Sequence, residues 1–300
     1  MPLPNFLTIG AAKSGTTSLY YYLRQHPDIY MSPIKEPRFF ARDRPLPAPE
    51  VQEAQQRRHP IVTGLSEYLA LFDGVTHESA VGEASTVYLY HPQAAAGIQA
   101  TIPEAKVLAI LRHPVERAYS HFLANLRDGD EPLQDFAAAL QAEPARIREH
   151  WYPGWHYAQR GLYAGQLQRY LGRFSAQQIK VYLYEEFAAQ PRSVLQEIWR
   201  FLGVDATFAP DISVRYNRSG LPRSRALHSL LKRRNALTHL LASVLTKERL
   251  LRAVVALNNR NLRQAPPLSQ EVRSALLSFY RDDTLTLQDL IQRDLSAWLR

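Results

Sequence analysis

The sequence predicts a three-layer α/β fold, with a central parallel sheet flanked by helices and a helical C-terminal third. Three observations carry that expectation. Short runs of buried-type residues recur at Phe6 to Gly10, Ala80 to Glu83, Lys106 to Leu111 and Ile179 to Tyr184. Helix-spaced apolar residues fill stretches between them, and from Ser224 onward the chain reads as helical. Strands alternating with helices imply right-handed crossovers and parallel strands, which receive ligands at their carboxyl ends.

Each element has its own local reason. Phe6 to Gly10 runs through a Gly/Ala/Ser/Thr turn into Leu19, Tyr22 and Leu23, which share one helical face and so complete a strand, loop, helix unit. From Ala41 to Thr63, several prolines and a Gln/Arg cluster around Gln55 to His59 predict a long surface excursion, a variable loop near 42–64. Lys106 to Leu111 is almost unbroken in apolar character, as a strand covered on both faces requires, and Pro114 suits the first position of the helix after it. Ile179 to Tyr184 has helices on both sides, Gly165 to Phe174 and Arg192 to Gly203. The C-terminal helices are expected at Arg225 to Leu241, Lys247 to Leu257 and Ser269 to Ile291, the last broken near Asp282 and Asp283. They should pack on one flank of a single domain spanning 1–300.

Composition narrows the functional classes. A chain of 300 residues, 46% of them apolar, can bury a full α/β core. The absence of cysteine excludes disulfides, thiolate metal sites and cysteine nucleophiles. A net charge of +8 suits a polyanionic ligand, an acidic acceptor or an anionic surface equally well. Met1 to Asn5 lead straight into a strand with no basic or long apolar leader, and no apolar run reaches the roughly 20 residues that span a bilayer. A cytoplasmic protein is the expectation.

Gly10-Ala11-Ala12-Lys13-Ser14-Gly15-Thr16-Thr17-Ser18 lies where the first strand meets its helix. There, backbone N–H groups and the helix dipole converge on a phosphate, small residues let the backbone approach, and a lysine with hydroxyls completes the cradle. Simple helix capping by Ser14 or Thr16 needs one hydroxyl, whereas this loop supplies four, with a lysine and two glycines. The nucleotide-triphosphatase pattern puts Lys and Ser/Thr directly after the second glycine; here Lys13 precedes Ser14 and Gly15. The Lys106 to Leu111 strand ends in Arg112, where a magnesium-dependent phosphotransferase often offers Asp. The pocket reads as one for anions without a metal. Arg112 at the strand end and Ser120 two turns into the next helix are spaced to meet one phosphate, which a guanidinium binds in bidentate fashion.

Two segments carry a family resemblance. FLTIGAAKSGTTSLYYYLRQHPDIYMSPIKEPRFF, Phe6 to Phe40, resembles the opening of the sulfotransferases that use 3′-phosphoadenosine 5′-phosphosulfate (PAPS), above all the branch shared by bacterial enzymes and heparan-sulfate sulfotransferases. AILRHPVERAYSHF, from Ala109, resembles that family's 3′-phosphate-binding segment. The likeness continues more weakly through Glu83-Ala84-Ser85, Gly161-Leu162-Tyr163 and Phe279-Tyr280-Arg281-Asp282.

The resemblance implies a P-loop-type fold, PAPS as sulfuryl donor, 3′-phosphoadenosine 5′-phosphate (PAP) as product, and no metal. It implies that Lys13 neutralises the bridging oxygen, that Ser14, Gly15, Thr16, Thr17 and Ser18 cradle the 5′-phosphate, and that Arg112 and Ser120 take the 3′-phosphate. Arg218 and Arg223 fall in the region of a late loop that closes over the 3′-phosphate, although a solvated basic loop explains them nearly as well. Glu36, which Pro37 keeps out of the helical region, occupies the place of the general base, the bland alternative being a surface Glu paired with Lys35 or Arg38. Ser85 is a candidate for contact with the acceptor or sulfuryl oxygens, or a helix cap before Val87. Ala84 stands where the heparan branch commonly has Lys, which predicts a less charged acceptor pocket. Tyr163 and Trp155 are candidates for packing on the nucleotide or acceptor, with core packing as the default. His113 and His121 rank as structural or nucleotide-edge residues.

Two other classes compete with this reading. A nucleotide phosphotransferase is disfavoured by the lysine placement and the missing magnesium ligand. A nucleotide-sensing or membrane-surface protein would use Leu227 to Arg263, rich in Leu, Lys and Arg, as a peripheral membrane contact; an amphipathic helix pair facing the core is favoured instead. No nucleic-acid recognition motif occurs. The expected acceptor is a small molecule, lipid or glycan with a hydroxyl or amine.

Overall fold

A computed structural model describes residues 3–41, 62–214, 216, 220–224, 227–228 and 247–300. In chain order the elements are β1 (Phe6–Gly10), α1 (Thr16–Leu23), β2 (Ile29–Met31), α2 (Leu65–Ala70), β3 (Ala80–Ala84), α3 (Ala94–Thr101), β4 (Lys106–Leu111), α4 (Pro114–Asp128), α5 (Phe136–Arg148), α6 (Tyr163–Leu171), β5 (Ile179–Leu183), α7 (Tyr184–Ala189), α8 (Pro191–Leu202), β6 (Leu221–Pro222), α9 (Lys247–Arg260), β7 (Leu262–Arg263) and α10 (Gln270–Ile291). β1 to β5 form one parallel sheet in the order β2-β3-β1-β4-β5, as the alternating pattern predicts. β6 and β7 make a separate antiparallel pair.

The sheet is covered on both faces, which is why its strands read as nearly continuous apolar runs. Side chains alternate with the period of two. Leu7, Ile9, Val107, Ala109 and Leu111 face a layer that includes Ile98, Leu167 and Leu287. Phe6, Leu108, Ile110 and Tyr182 face Leu19 and Leu23 of α1 and Leu195, Ile198 and Trp199 of α8. A third cluster joins Val115 and Phe122 of α4 to Phe136, Tyr157, Leu276 and Tyr280.

The predicted break near Asp282 and Asp283 is absent, and α10 runs through both. Asp283 is accommodated because its carboxylate accepts from the N–H groups of Tyr163 (2.7 Å) and Ala164 (3.2 Å), capping α6 from outside. β2 was not predicted. Most of the expected variable loop, 42–61, and most of the helix from Arg225 to Leu241 lie outside the described residues.

Candidate active site

β1 lies between β3 and β4, so the loop leaving its carboxyl end opens between the segments that leave theirs. This is the crevice where an open parallel sheet presents its ligand site. In the first loop the N–H of Ala11 donates to Ile110 O at 2.7 Å, tying the loop to β4. Lys13 (φ 69°) and Gly15 (φ 84°) are both left-handed. A Cβ at Gly15 would stand 3.2 Å from the Tyr184 ring and 3.3 Å from that of Phe187, so the backbone here needs glycine for shape as well as φ. α1 starts with no side-chain cap, and its first-turn amides therefore retain their positive potential. The Ser14 hydroxyl is fully buried without a hydrogen-bond partner. Thr16 is buried, Thr17 half-buried, and Ser18 Oγ accepts from the Tyr216 N–H at 3.2 Å. These features fit an anionic ligand: a left-handed glycine turn, an uncapped helix start, an orphaned hydroxyl and a cation.

Arg112 follows β4 and reaches back to the loop. Its Nη1 donates to Lys13 O at 3.1 Å, and its guanidinium carbon lies 4.8 Å from the Tyr184 ring centroid. The Tyr163 hydroxyl donates to Arg112 O at 3.0 Å, and Tyr163 itself is buried. Tyr163 thus props Arg112 from the core, in line with the core packing that was its default expectation. Ser120 is buried on α4. Burial pushes the Lys13 ammonium down to about 7; Arg127, Arg112 and Lys35 add repulsion and Asp128 opposes it.

The second segment carries Glu36, whose N–H donates to Ala84 O at 2.9 Å and whose φ of 64° makes a tight turn before Pro37. Its Oε1 accepts from Lys35 Nζ (2.9 Å) and Thr86 Oγ1 (3.0 Å), its Oε2 from the Thr86 N–H (2.9 Å). Arg38 Nε stands 3.9 Å away. Burial alone would raise this carboxyl, but Lys35, Arg38 and the bonds from Lys35 and Thr86 outweigh it and hold the group at about 2. Lys35 is the link between the two segments, since its charge acts on Lys13 as well as on Glu36.

Ser85 is fully buried beneath this turn, with its hydroxyl donating to Glu83 Oε2 at 2.9 Å and accepting from the Arg38 N–H at 3.1 Å. Its hydroxyl is bonded inside the protein on both sides. His121 is buried, and its ring is pushed well down by burial and by Arg160 and Arg117, which keeps it neutral and structural. His113 heads α4 with a half-buried ring pushed down by burial. Trp155 packs edge-on against Trp151 and donates to Asp130 O at 3.1 Å. Arg223 is exposed, its N–H paired with Asn261 O at 2.7 Å; Arg218 lies outside the described residues.

The sequence reading did not find Thr86, which holds Glu36, or Arg160, buried with Nη2 donating to Thr86 O at 3.2 Å. Thr86 had a usable signal, because it follows β3 at the carboxyl edge where ligand sites form. Arg160 had none: Thr86, the partner that places it beside Glu36, is remote in sequence.

The sequence model of the sulfotransferase family matches residues 4–209. The chain belongs to the sulfotransferase family. The matched span contains Lys13, Glu36, Ser85, Arg112, Ser120 and Tyr163, and ends before Arg218 and Arg223. Bifunctional heparan sulfate N-deacetylase/N-sulfotransferase 4 of Mus musculus is 29% identical over 99% of this chain, which spans 31% of that protein. Carbohydrate sulfotransferase 15 of Rattus norvegicus is 29% identical over 67% of this chain and 44% of its own. The crystal structure of a sulfotransferase from Alicyclobacillus acidocaldarius is 36% identical, covers 100% of both chains and superposes with a TM-score of 0.77. The fold is therefore that of the family, and this chain corresponds to about a third of the length of the first curated relative.

Proposed function

We propose that this family member transfers the sulfuryl group of PAPS in line to a hydroxyl or amine, with a carbohydrate as the acceptor class its curated relatives suggest. The observation that carries the reading is the Lys13 loop: a cation on a left-handed residue, ahead of an uncapped helix, pinned by Arg112. When bound, PAPS supplies an electrophilic sulfur and a phosphate leaving group.

The chain's own residues divide the remaining work. The amides at the start of α1 and the hydroxyls of Thr16 and Thr17 receive the 5′-phosphate, and Arg112 with Ser120 the 3′-phosphate. Lys13, charged by the arriving anion, stabilises the bridging oxygen. Glu36 takes the acceptor's proton. A carboxyl held at about 2 is a weak base, so this role requires Lys35 to turn away from it. Lys35 already acts on Lys13 electrostatically; drawn toward an anion there, it frees Glu36 from the largest of the groups that hold its carboxyl down and raises its basicity. The Ala at position 84 leaves β3 without a cation, while Arg38 and Arg160 supply charge nearby.

Calorimetry with PAP and AMP tests the donor assignment. PAP should bind far more tightly, and Arg112→Ala should narrow the gap by about 1.5–3 kcal/mol, roughly tenfold or more. Equal affinities in the unmutated protein would remove the PAPS reading.

A further inference from the structure

Three consecutive residues after Pro37 each rest on a group bonded to one buried carboxyl. Glu83, at the end of β3, is wholly buried. Ser85 Oγ donates to its Oε2 at 2.9 Å, the Tyr68 hydroxyl stands 3.5 Å from its Oε1, and the Tyr88 hydroxyl faces it as well. On their other sides, Ser85 Oγ accepts from the Arg38 N–H (3.1 Å), the Tyr68 ring stacks on Phe39 at 4.4 Å, and the Tyr88 hydroxyl accepts from the Phe40 N–H (3.4 Å). The turn these contacts hold begins at Glu36 and includes a second left-handed residue, Arg38 (φ 61°).

We propose that Glu83 is a positioning residue, which holds residues 36–40 in their turn through Ser85, Tyr68 and Tyr88 and loosens them when it takes up a proton. An ionised carboxylate accepts from all three hydroxyls, and each hydroxyl, having given away its one proton, keeps lone pairs for the backbone N–H groups of Arg38 and Phe40. A protonated carboxyl must itself donate. The hydroxyl that receives this proton has to turn its own elsewhere, and in rotating it weakens its hold on the backbone amide, which is left with the second lone pair. The titratable groups facing Glu83 are Tyr68 on α2, Tyr88 after β3, Tyr170 on α6 and Glu36. Burial pushes the three tyrosines upward, so they stay neutral. Burial also pushes Glu83 up to about 7, with Glu36 adding to the rise and the three hydroxyls opposing it, so Glu83 is the member whose charge changes near neutrality.

The proposal rests on reading Glu36 as the acceptor-side base, and its test needs no acceptor. Amide exchange at Arg38 and Phe40 and the ¹³C titration of the Glu36 carboxyl would be followed in the unmutated protein, Glu83→Gln and Ser85→Ala. In the unmutated protein, protection at the Arg38 amide, whose Ser85 seat makes the 2.9 Å bond to Glu83, should rise, corrected for intrinsic exchange, roughly fivefold to tenfold between about pH 6 and about pH 8.5, the worth of one hydrogen bond. Glu83→Gln should stay at the low-pH level throughout, with the Glu36 titration unchanged, because Glu83 is already protonated where Glu36 titrates, and with the Ala11 amide unaffected. Ser85→Ala should expose Arg38 and spare Phe40. Glu83→Gln should also melt no lower than the unmutated protein at alkaline pH, because it removes a costly buried charge. Undiminished pH-dependent protection in Glu83→Gln would overturn the proposal. So would a general loss that reached Ala11 and lowered the melting temperature, which would make Glu83 a support of the whole sheet. If Glu83→Gln did not fold, a flat pH response in the unmutated protein or a Ser85→Ala variant with Arg38 still protected would overturn it. Failure of the sulfotransferase reading shows separately, as an unmutated protein that does not bind PAP.

Discussion

Lys13 was legible as the central cation because no other side chain in its loop can neutralise a phosphate. What the sequence could not give was its cost. Half-buried, and repelled by Arg127, Arg112 and Lys35, the ammonium is held at about 7, so it is fully charged only below neutrality in the free protein. An anion beside it favours the charged form and raises that value, so binding takes up a proton above about pH 7. PAP affinity should therefore be full below about pH 7 and fall as pH rises, by at most tenfold per unit, until the bound-state value is passed. Calorimetry across this range in buffers of different ionisation enthalpy reads both the affinity and the proton. Lys13→Met should bind weakly at every pH and show no decline, and a level profile in the unmutated protein would exclude Lys13 from the phosphate site. Glu36 was readable with an alternative beside it, a pairing with Lys35 or Arg38, and the structure does bond it to Lys35 with Arg38 at 3.9 Å. Ser85 and Tyr163 were left open between two uses for a common reason: a hydroxyl beside a motif can face the ligand or the core, and only packing decides. Ser85 is spent between Glu83 and Arg38, and Tyr163 beneath Arg112.

At the scale of elements, four of the five strands of the main sheet were visible, because strands covered on both faces leave unbroken apolar runs. β2 was not. It is three residues long, Ile29–Met31, between Pro27 and Ser32-Pro33, too short for any period to register. The Lys13 loop shows the opposite case, in which local chemistry dictates the geometry. Gly15 at φ 84° serves a turn that an L residue adopts at a cost of about 1–2 kcal/mol, and a Cβ there would meet Tyr184 at 3.2 Å. Tyr184 is the ring under Arg112, so displacing it disturbs both anion sites at once. Gly15→Ala should weaken PAP binding by about tenfold or more. Gly165→Ala is the control: a Cβ there meets nothing within 4 Å, and removing glycine from a helix should raise stability by about 0.5–1 kcal/mol without touching affinity. Denaturant melts with PAP titrations on both variants make the comparison, and parallel behaviour of the two would remove the special role of Gly15.

Across the whole molecule, the C-terminal helix is joined to the phosphate loop by a chain of named contacts. Asp283 on α10 caps the Tyr163 and Ala164 amides at the start of α6, the Tyr163 hydroxyl holds Arg112 O, and Arg112 holds Lys13 O. This explains why an aspartate pair that reads as a helix break leaves α10 intact: the carboxylate complements another helix's positive end. Burial raises Asp283 even though both amide bonds pull it down, so the cap carries a desolvation cost, and its net worth should lie in the ordinary range for capping groups. Asp283→Ala should therefore lower stability by about 0.5–2 kcal/mol. Because the loss falls on the residue that props Arg112, PAP affinity should fall too, by less than in Arg112→Ala. The double variant should show less than the sum of the two affinity losses, since both act on the same guanidinium. Thermal melts and PAP calorimetry on the two single variants and the double decide the matter. A destabilised Asp283→Ala protein with unaltered PAP affinity would confine Asp283 to holding α10 against α6. Strictly additive affinity losses would show that its effect reaches the phosphate loop by a route other than Tyr163 and Arg112.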